Sequence, residues 1–227
     1  EKGQQWEHTL GLLEGARQDG LRPDAIGYRA AASACEKGLR WERALLVLVA
    51  LVVHALELDV VGFSAAISAC EKGFRWERAL ELLAETVRRS FRPDAISRNA
   101  AISACEACGR WRQALEILAK MAAGHGLRTT VVSHSAAISA CEKGQRWAPA
   151  LVLLHAMGVH DLRPQLVSYS AALLACAACL RWEGALDTLG DMTGRRVDPD
   201  LVSCATALME CEQRGLAQEA AMLQGFG

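Results

Sequence analysis

The chain has 227 residues, a formal net charge of −1, and 52% apolar residues. That balance brings no overall attraction to nucleic acid or to an anionic membrane, although arginines gathered on one face would supply a local one. No apolar run reaches the roughly 18 residues of a membrane span, the longest, Ala44 to Leu56, being broken by His54, and no targeting segment is visible.

Six tryptophans recur every 35 residues with one step of 36: Trp6, Trp41, Trp76, Trp111, Trp147 and Trp182. Six of the nine cysteines keep the same beat: Cys35, Cys70, Cys105, Cys141, Cys176 and Cys211. Two unrelated residue types locked to one period define a tandem repeat, and a repeat fixes the architecture. The half repeat 1–24 holds one helix. Full repeats follow at 25–59, 60–94, 95–130, 131–165 and 166–200, with a truncated copy at 201–227. The chain opens at Glu1 and closes at Gly227, each inside a copy, so the expectation is a single array cut from a longer protein.

Repeat 25–59 stands out for its second helix. Ala44 to Leu56 has no Asp, Glu, Lys or Arg, so its outward face is expected to meet a protein partner or another domain. Repeat 60–94 is the clearest copy. Phe63, Ala66, Ile67 and Cys70 fall at i, i+3, i+4 and i+7, one face of a helix. Gly73 is expected to end that helix in a left-handed cap. Trp76, Ala79, Leu80 and Leu83 give a second helix its own apolar face, and Arg92-Pro93-Asp94 ends the copy. Repeat 95–130 has one extra residue near Gly124-His125-Gly126, which predicts a wider closing loop. In repeat 131–165, Pro149 is tolerable in the first turn of its helix. In 201–227, Ala217 stands where the next tryptophan is due, so that hairpin is expected to pack least well.

Two helices in each full or truncated copy and one in the half repeat predict thirteen helices in an all-α, right-handed solenoid, with the first helices lining its concave side. Small residues at equivalent places in the first helices (Ala66, Ala101, Ala137, Ala172, Ala207) allow close approach. The cysteine ladder reads as reduced, buried thiols. Packed helices lie roughly 8–10 Å apart, too far for a disulfide's Cα spacing of about 4.4–6.8 Å. Cys105-x-x-Cys108 and Cys176-x-x-Cys179 are helical and belong to repeats two apart, so no shared metal is expected. No cofactor motif, nucleophile motif or paired catalytic carboxylates appear, and no enzyme activity is expected of this segment.

The 35-residue period, the two helices, the closing Pro-Asp and a core such as SRNAAISACEACGRWRQALEILAKM together resemble the pentatricopeptide repeat family. The tetratricopeptide repeat, with a period of about 34 residues and its tryptophan in the first helix, fits badly. The resemblance implies sequence-specific binding of single-stranded RNA, one base per repeat, in mitochondrial or chloroplast RNA metabolism. It implies that the second residue of each repeat wedges against the base faces: Ile26, Val61, Ile96, Val132, Val167 and Val202, all β-branched and stiff.

It further implies that the fifth and last residues of a repeat read the base. The pairs are Arg29 with Asp59, Ser64 with Asp94, Asn99 with Thr130, Ser135 with Gln165, and Ser170 with Asp200. A carboxylate accepts from the donor edge of guanine, a serine adds a hydroxyl, and an asparagine amide both donates and accepts. By the family's code, Ser64/Asp94 and Ser170/Asp200 imply G and Asn99/Thr130 implies C. Ser135/Gln165 has no defined preference. Arg29 departs from the pattern, and the alternative for it is to pair with Asp59. Ala205 has no side-chain hydrogen bond to offer. Lys37, Lys72 and Lys143 imply phosphate contacts, with solvated surface lysines as the plainer reading; Ala107, Ala178 and Gln213 interrupt their series. The arginines before each tryptophan read as structural, stem on the seam and head in water. No DNA or membrane partner is expected. A protein-interaction scaffold is the alternative, and the recognition arm of an RNA-processing enzyme is a third reading.

Overall fold

The computed structural model describes residues 5–19, 21, 23–53, 59–123, 129–200 and 205. They contain eleven α-helices and no strand: α1 (Gln5–Gln18), α2 (Ala25–Lys37), α3 (Trp41–Val53), α4 (Val60–Lys72), α5 (Trp76–Arg88), α6 (Ala95–Ala107), α7 (Trp111–Ala123), α8 (Val131–Lys143), α9 (Trp147–Val159), α10 (Leu166–Ala178) and α11 (Trp182–Gly194). Repeats 25–59, 60–94, 131–165 and 166–200 are therefore helical hairpins, and the class is an all-α helical repeat solenoid. The last two expected helices, with Val202, Ala207, Cys211, Gln213 and Ala217, lie outside the described residues, as does the loop at Gly124-His125-Gly126. No described helix is long and apolar enough to cross a membrane.

The chain divides into two bodies, Glu1–Ala107 and Cys108–Gly227. In the first, α2, α4 and α6 stack in order, and α3 and α5 each lie against two of them. In the second, α8 packs on α10, with α7, α9 and α11 against that layer. The small residues explain this layering. Ala66, Ala101, Ala137 and Ala172 are fully buried, so first helices approach with little side chain between them. Phe63, Ile67 and Cys70 are buried beside Ala66, completing the stripe expected for that face. Cys35, Cys70, Cys105, Cys141 and Cys176 are all inaccessible, and none of them is in a disulfide. Burial pushes the thiols of Cys70, Cys141 and Cys176 up to about 11.

The six tryptophans are half-buried. Four have an arginine of the next repeat over the ring: Arg40 on Trp6, Arg75 on Trp41, Arg146 on Trp111 and Arg181 on Trp147, at 4.5–5.3 Å from the centroid. The expectation of arginine heads in water is thus corrected at these positions. The guanidinium lies on the π face of the preceding repeat, a contact worth about 0.5–1 kcal/mol at an exposed site.

The turn between the two helices also differs from expectation. Gly73 has φ −88°, and the left-handed residue is the next one, Phe74, at φ 55°. Phe74 N–H donates to the Glu71 carbonyl and Arg75 N–H to the Cys70 carbonyl, a Schellman closure shifted by one residue. Leu39, Gln145 and Leu180 are left-handed in the same way. One place earlier, Gly73 and Gly144 leave space for the tryptophan of the preceding repeat. A Cβ on Gly73 would lie 2.3 Å from Trp41 Cδ1, and one on Gly144 would lie 2.4 Å from Trp111 Cδ1. Cys108 and Cys179 occupy this cap position in their own copies, which accounts for the second cysteine of each C-x-x-C pair. Cys179 Sγ donates to the Gln145 carbonyl at 3.3 Å. No cluster able to hold a metal occurs among the described residues.

Candidate nucleic-acid interface

Every first helix starts at a polar residue that is also the last residue of the preceding repeat. Asp24 accepts from Gly27 N–H, Asp59 from Gly62 N–H, Asp94 from Ser97 N–H and Thr130 from Ser133 N–H. These are N-caps, each worth about 0.5–2 kcal/mol. Gln165 holds the same place without a side-chain bond. Two residues beyond each cap stands a β-branched residue in solvent: Ile26 is 66% exposed, Val61 59%, Ile96 65%, Val132 62% and Val167 61%. A buried position would explain an apolar residue there, and these five are not buried.

The recognition pairs differ in how they are engaged. Arg29 and Asp59 pair with each other, Arg29 Nη1 to Asp59 Oδ2 at 2.8 Å, while Arg29 Nε donates to the Ala25 carbonyl. Asp59 Oδ1 meanwhile accepts from Gly62 N–H at 3.0 Å. Both oxygens are thus in use.

Ser64 and Asp94 come together differently. Asp94 Oδ1 accepts from Ser97 N–H at 2.8 Å, Ser97 Oγ at 2.6 Å and Ser64 Oγ at 3.2 Å. The Ser64 and Ser97 hydroxyls also lie 2.5 Å apart. None of these bonds uses Asp94 Oδ2.

Asn99 carries a buried Oδ1 with no hydrogen-bond partner among the described residues. Asn99 belongs to the first body and its sequence partner Thr130 to the second. Ser135 Oγ donates to the Val131 carbonyl at 2.8 Å and lies 2.7 Å from Ser168 Oγ. Ser170 Oγ donates to the Leu166 carbonyl. Asp200 is half-buried, Ala205 is exposed, and Val202 lies outside the described residues.

Lys37, Lys72 and Lys143 are exposed. Lys72 Nζ is 2.9 Å from Glu36 Oε1 of the preceding repeat. Glu71 has its carboxyl raised by burial, against the pull of Lys72 and with the repulsion of Glu36 and Glu106. The glutamate before each of these lysines, Glu36, Glu71 and Glu142, thus offsets much of the positive charge that the lysine series offers, which the reading of lysines alone missed.

Sequence reasoning also missed the third residue of each repeat. Ser97, Ser133 and Ser168 are fully buried. Their hydroxyls bond to the closing residue or the fifth residue of the repeat before, Ser133 Oγ donating to the Thr130 carbonyl at 2.9 Å. A serine at one place in four successive copies, Ser97, Ser133, Ser168 and Ser203, was the available signal.

Stacked 35-residue hairpins with capped first helices and a repeating exposed wedge define a repeat solenoid of a particular type. Residues 81–143 match the family model of the pentatricopeptide repeat domain. The fold of the maize pentatricopeptide repeat protein PPR10 is similar, with TM-score 0.73 and 17% identity over 99% of this chain and 37% of that one. PPR10 in complex with an 18-nt psaJ RNA element gives TM-score 0.71 and 24% identity over 97% of this chain and 36% of that one. The PPR domain of Arabidopsis thaliana protein-only RNase P 1, in complex with tRNA, gives 0.64 and 16% over 70% of this chain and 83% of that domain. No curated protein sequence matches the chain. Residues 81–143 thus carry the pentatricopeptide repeat match, and the chain shares the fold of the PPR10 structures, of which it spans little more than a third.

Proposed function

We propose that this array binds single-stranded RNA, one base per repeat, with no catalysis of its own, as part of organellar RNA metabolism. The observation that carries the reading is the row of five exposed β-branched residues, Ile26, Val61, Ile96, Val132 and Val167. Each stands beside a helix cap whose polar side chain is placed at the same register. Stiff apolar side chains between bases act as spacers, and stacking contributes about 1–3 kcal/mol per base. The solved PPR10 and RNase P relatives are complexes with RNA, which supports the same use here. Asn99 is half-buried, and its amide can both donate to and accept from a base edge. Lys37, Lys72 and Lys143 lie on exposed surface, where phosphate contacts add a salt-dependent share.

The preferred strand runs 5′-G-C-N-G-3′ through repeats 60–94, 95–130, 131–165 and 166–200. Binding of a short oligonucleotide library at fixed salt tests this. Asp94→Asn is the sharpest variant, because asparagine caps a helix as well as aspartate does. It should leave the fold intact and change the preference at the first of these bases alone. Changing Val61 or Val132 to glycine should weaken every sequence alike. A library without preference, or a preference that ignores Asp94, Asn99 and Asp200, refutes the base-reading proposal.

A protein scaffold is the second reading, and α3 favours it. Leu46, Val49 and Val53 on its outer face are 57%, 57% and 71% exposed. Such a stripe fits a protein partner at the apolar helix 44–56, of which 54–56 lie outside the described residues.

A further inference from the structure

The chemistry of a closing aspartate depends on what holds it. In repeat 60–94 the holder is Ser97, the third residue of the next repeat. Its N–H and hydroxyl both donate to Asp94 Oδ1, and Ser64 adds a third bond to that oxygen. Ser97 is fully buried, so its hydroxyl faces no ligand, and Ser64 is 8% exposed. One carboxylate oxygen is saturated from below and the other is left for a donor edge. In repeat 25–59 the corresponding third residue is Gly62, which has no hydroxyl. Asp59 Oδ1 then has only the Gly62 N–H, and Oδ2 is occupied by Arg29.

We infer that the third residue of the following repeat is a specificity-determining position acting through the closing carboxylate: Ser97 presents Asp94 to guanine, while Gly62 with Arg29 closes repeat 25–59 to base reading. This rests on the RNA-binding reading above. Ser97 is a positioning residue; it touches Asp94 and no base. A guanine edge offers N1–H and an amino group, both donors, and needs a fixed acceptor. A carboxylate paired to a guanidinium has already spent that acceptor. The geometry also permits the missing serine. A Cβ on Gly62 would lie 3.6 Å from Asp59 Oδ1 and 3.5 Å from Leu48 Cδ2, both ordinary contacts.

The test is base selectivity, read on the full chain with RNA oligonucleotides carrying each base in turn at one position. The wild type should prefer G opposite repeat 60–94 and be indifferent one base 5′ of it. Ser97→Gly, which copies what Gly62 already supplies, should cut the G preference about tenfold, the loss of about one charge-assisted hydrogen bond. The preference opposite repeat 166–200 should stay as it was. The double variant Arg29→Ser, Gly62→Ser should gain a G preference opposite repeat 25–59, and Gly62→Ser alone should gain none, because Arg29 still holds Asp59. Circular dichroism reports whether each variant keeps its helices. An unchanged G preference in a folded Ser97→Gly variant overturns the inference, and so does a folded double variant that stays indifferent. If Ser97→Gly does not fold, the double variant decides alone. A wild type that binds RNA without discriminating, or does not bind, fails at the earlier step and takes both readings down together.

Discussion

Repeats 25–59 and 60–94 lie in the same body, share one 35-residue frame, and differ on the outer face of the second helix and in the fifth and closing residues. Inside, they match. Ala44 and Ala79 are fully buried at equivalent places, as are Cys35 and Cys70, and Trp41 and Trp76 are both half-buried. Outside, the equivalents of Leu46, Val49 and Val53 are Glu81, Ala84 and Arg88, all exposed. The second set sits among ordinary helix-surface ion pairs, Arg78 with Glu81 and Arg88 with Glu85. The fifth and closing residues pair directly in one repeat, Arg29 with Asp59, and in the other the closing Asp94 is bonded by Ser64 and Ser97. The seam between helices fixes the hairpin and tolerates little change. Exposed positions cost the fold only about half a kcal/mol either way, so differences between copies collect there.

The largest way to break the comparison is to remove a shared seam residue. Trp41→Ala and Trp76→Ala should each cost about 3 kcal/mol, the lower end of the range for a core aromatic because the rings are only half-buried. Urea denaturation checks it. Two costs below about 1 kcal/mol would show that the tryptophan seam is not the common element.

Gly73→Ala comes next. Alanine normally stabilises a helix relative to glycine, but here its Cβ would lie 2.3 Å from Trp41 Cδ1. The expected outcome is a loss of about 1–3 kcal/mol, as in overpacked cores, and a much smaller loss in the Trp41→Ala background, since the two side chains are in contact. A stabilised Gly73→Ala protein would contradict the close approach.

The thiols test whether the two interiors are alike. Burial raises Cys35 and raises Cys70 to about 11 from an ordinary value of 9.0. A raised folded value means stability fully present below pH 9 and lost as pH climbs toward 11. Thiol labelling of native protein at neutral pH should be slow at both cysteines, and Cys70→Ala should flatten the alkaline loss. Rapid labelling of either cysteine would show that its repeat opens locally.

The smallest effects are on the surface. Arg29→Ala removes a pair whose side chains are 35% and 38% exposed, so stability should change by about 0–1 kcal/mol. Leu46→Glu should likewise leave the melting temperature nearly unchanged. If a protein partner covers α3, light scattering or co-purification should change with Leu46→Glu or Val53→Glu and stay unchanged with Ala84→Glu. A strict monomer, indifferent to all three, would remove the contrast between the outer faces.

The sequence by itself determined the repeat, its boundaries and its interior. Trp and Cys at one period set the register, and apolar residues at i, i+3, i+4 and i+7 gave Phe63, Ala66, Ile67 and Cys70 their buried face. These follow from local helical geometry, which depends only on spacing along the chain. The exposure of Val61 and its described equivalents was legible too, because they fall off that stripe. What only the tertiary structure decided lies mostly between copies: Ser97 on Asp94 of the repeat before, Arg75 over Trp41, and Gly73 cleared for the same ring; within a copy it put Phe74 rather than Gly73 in the left-handed turn. A period says that equivalent residues become neighbours. It does not say how far each helix is rotated or how closely it approaches the next. That rotation and approach set which side chains meet, and they follow from packing the small buried faces against one another.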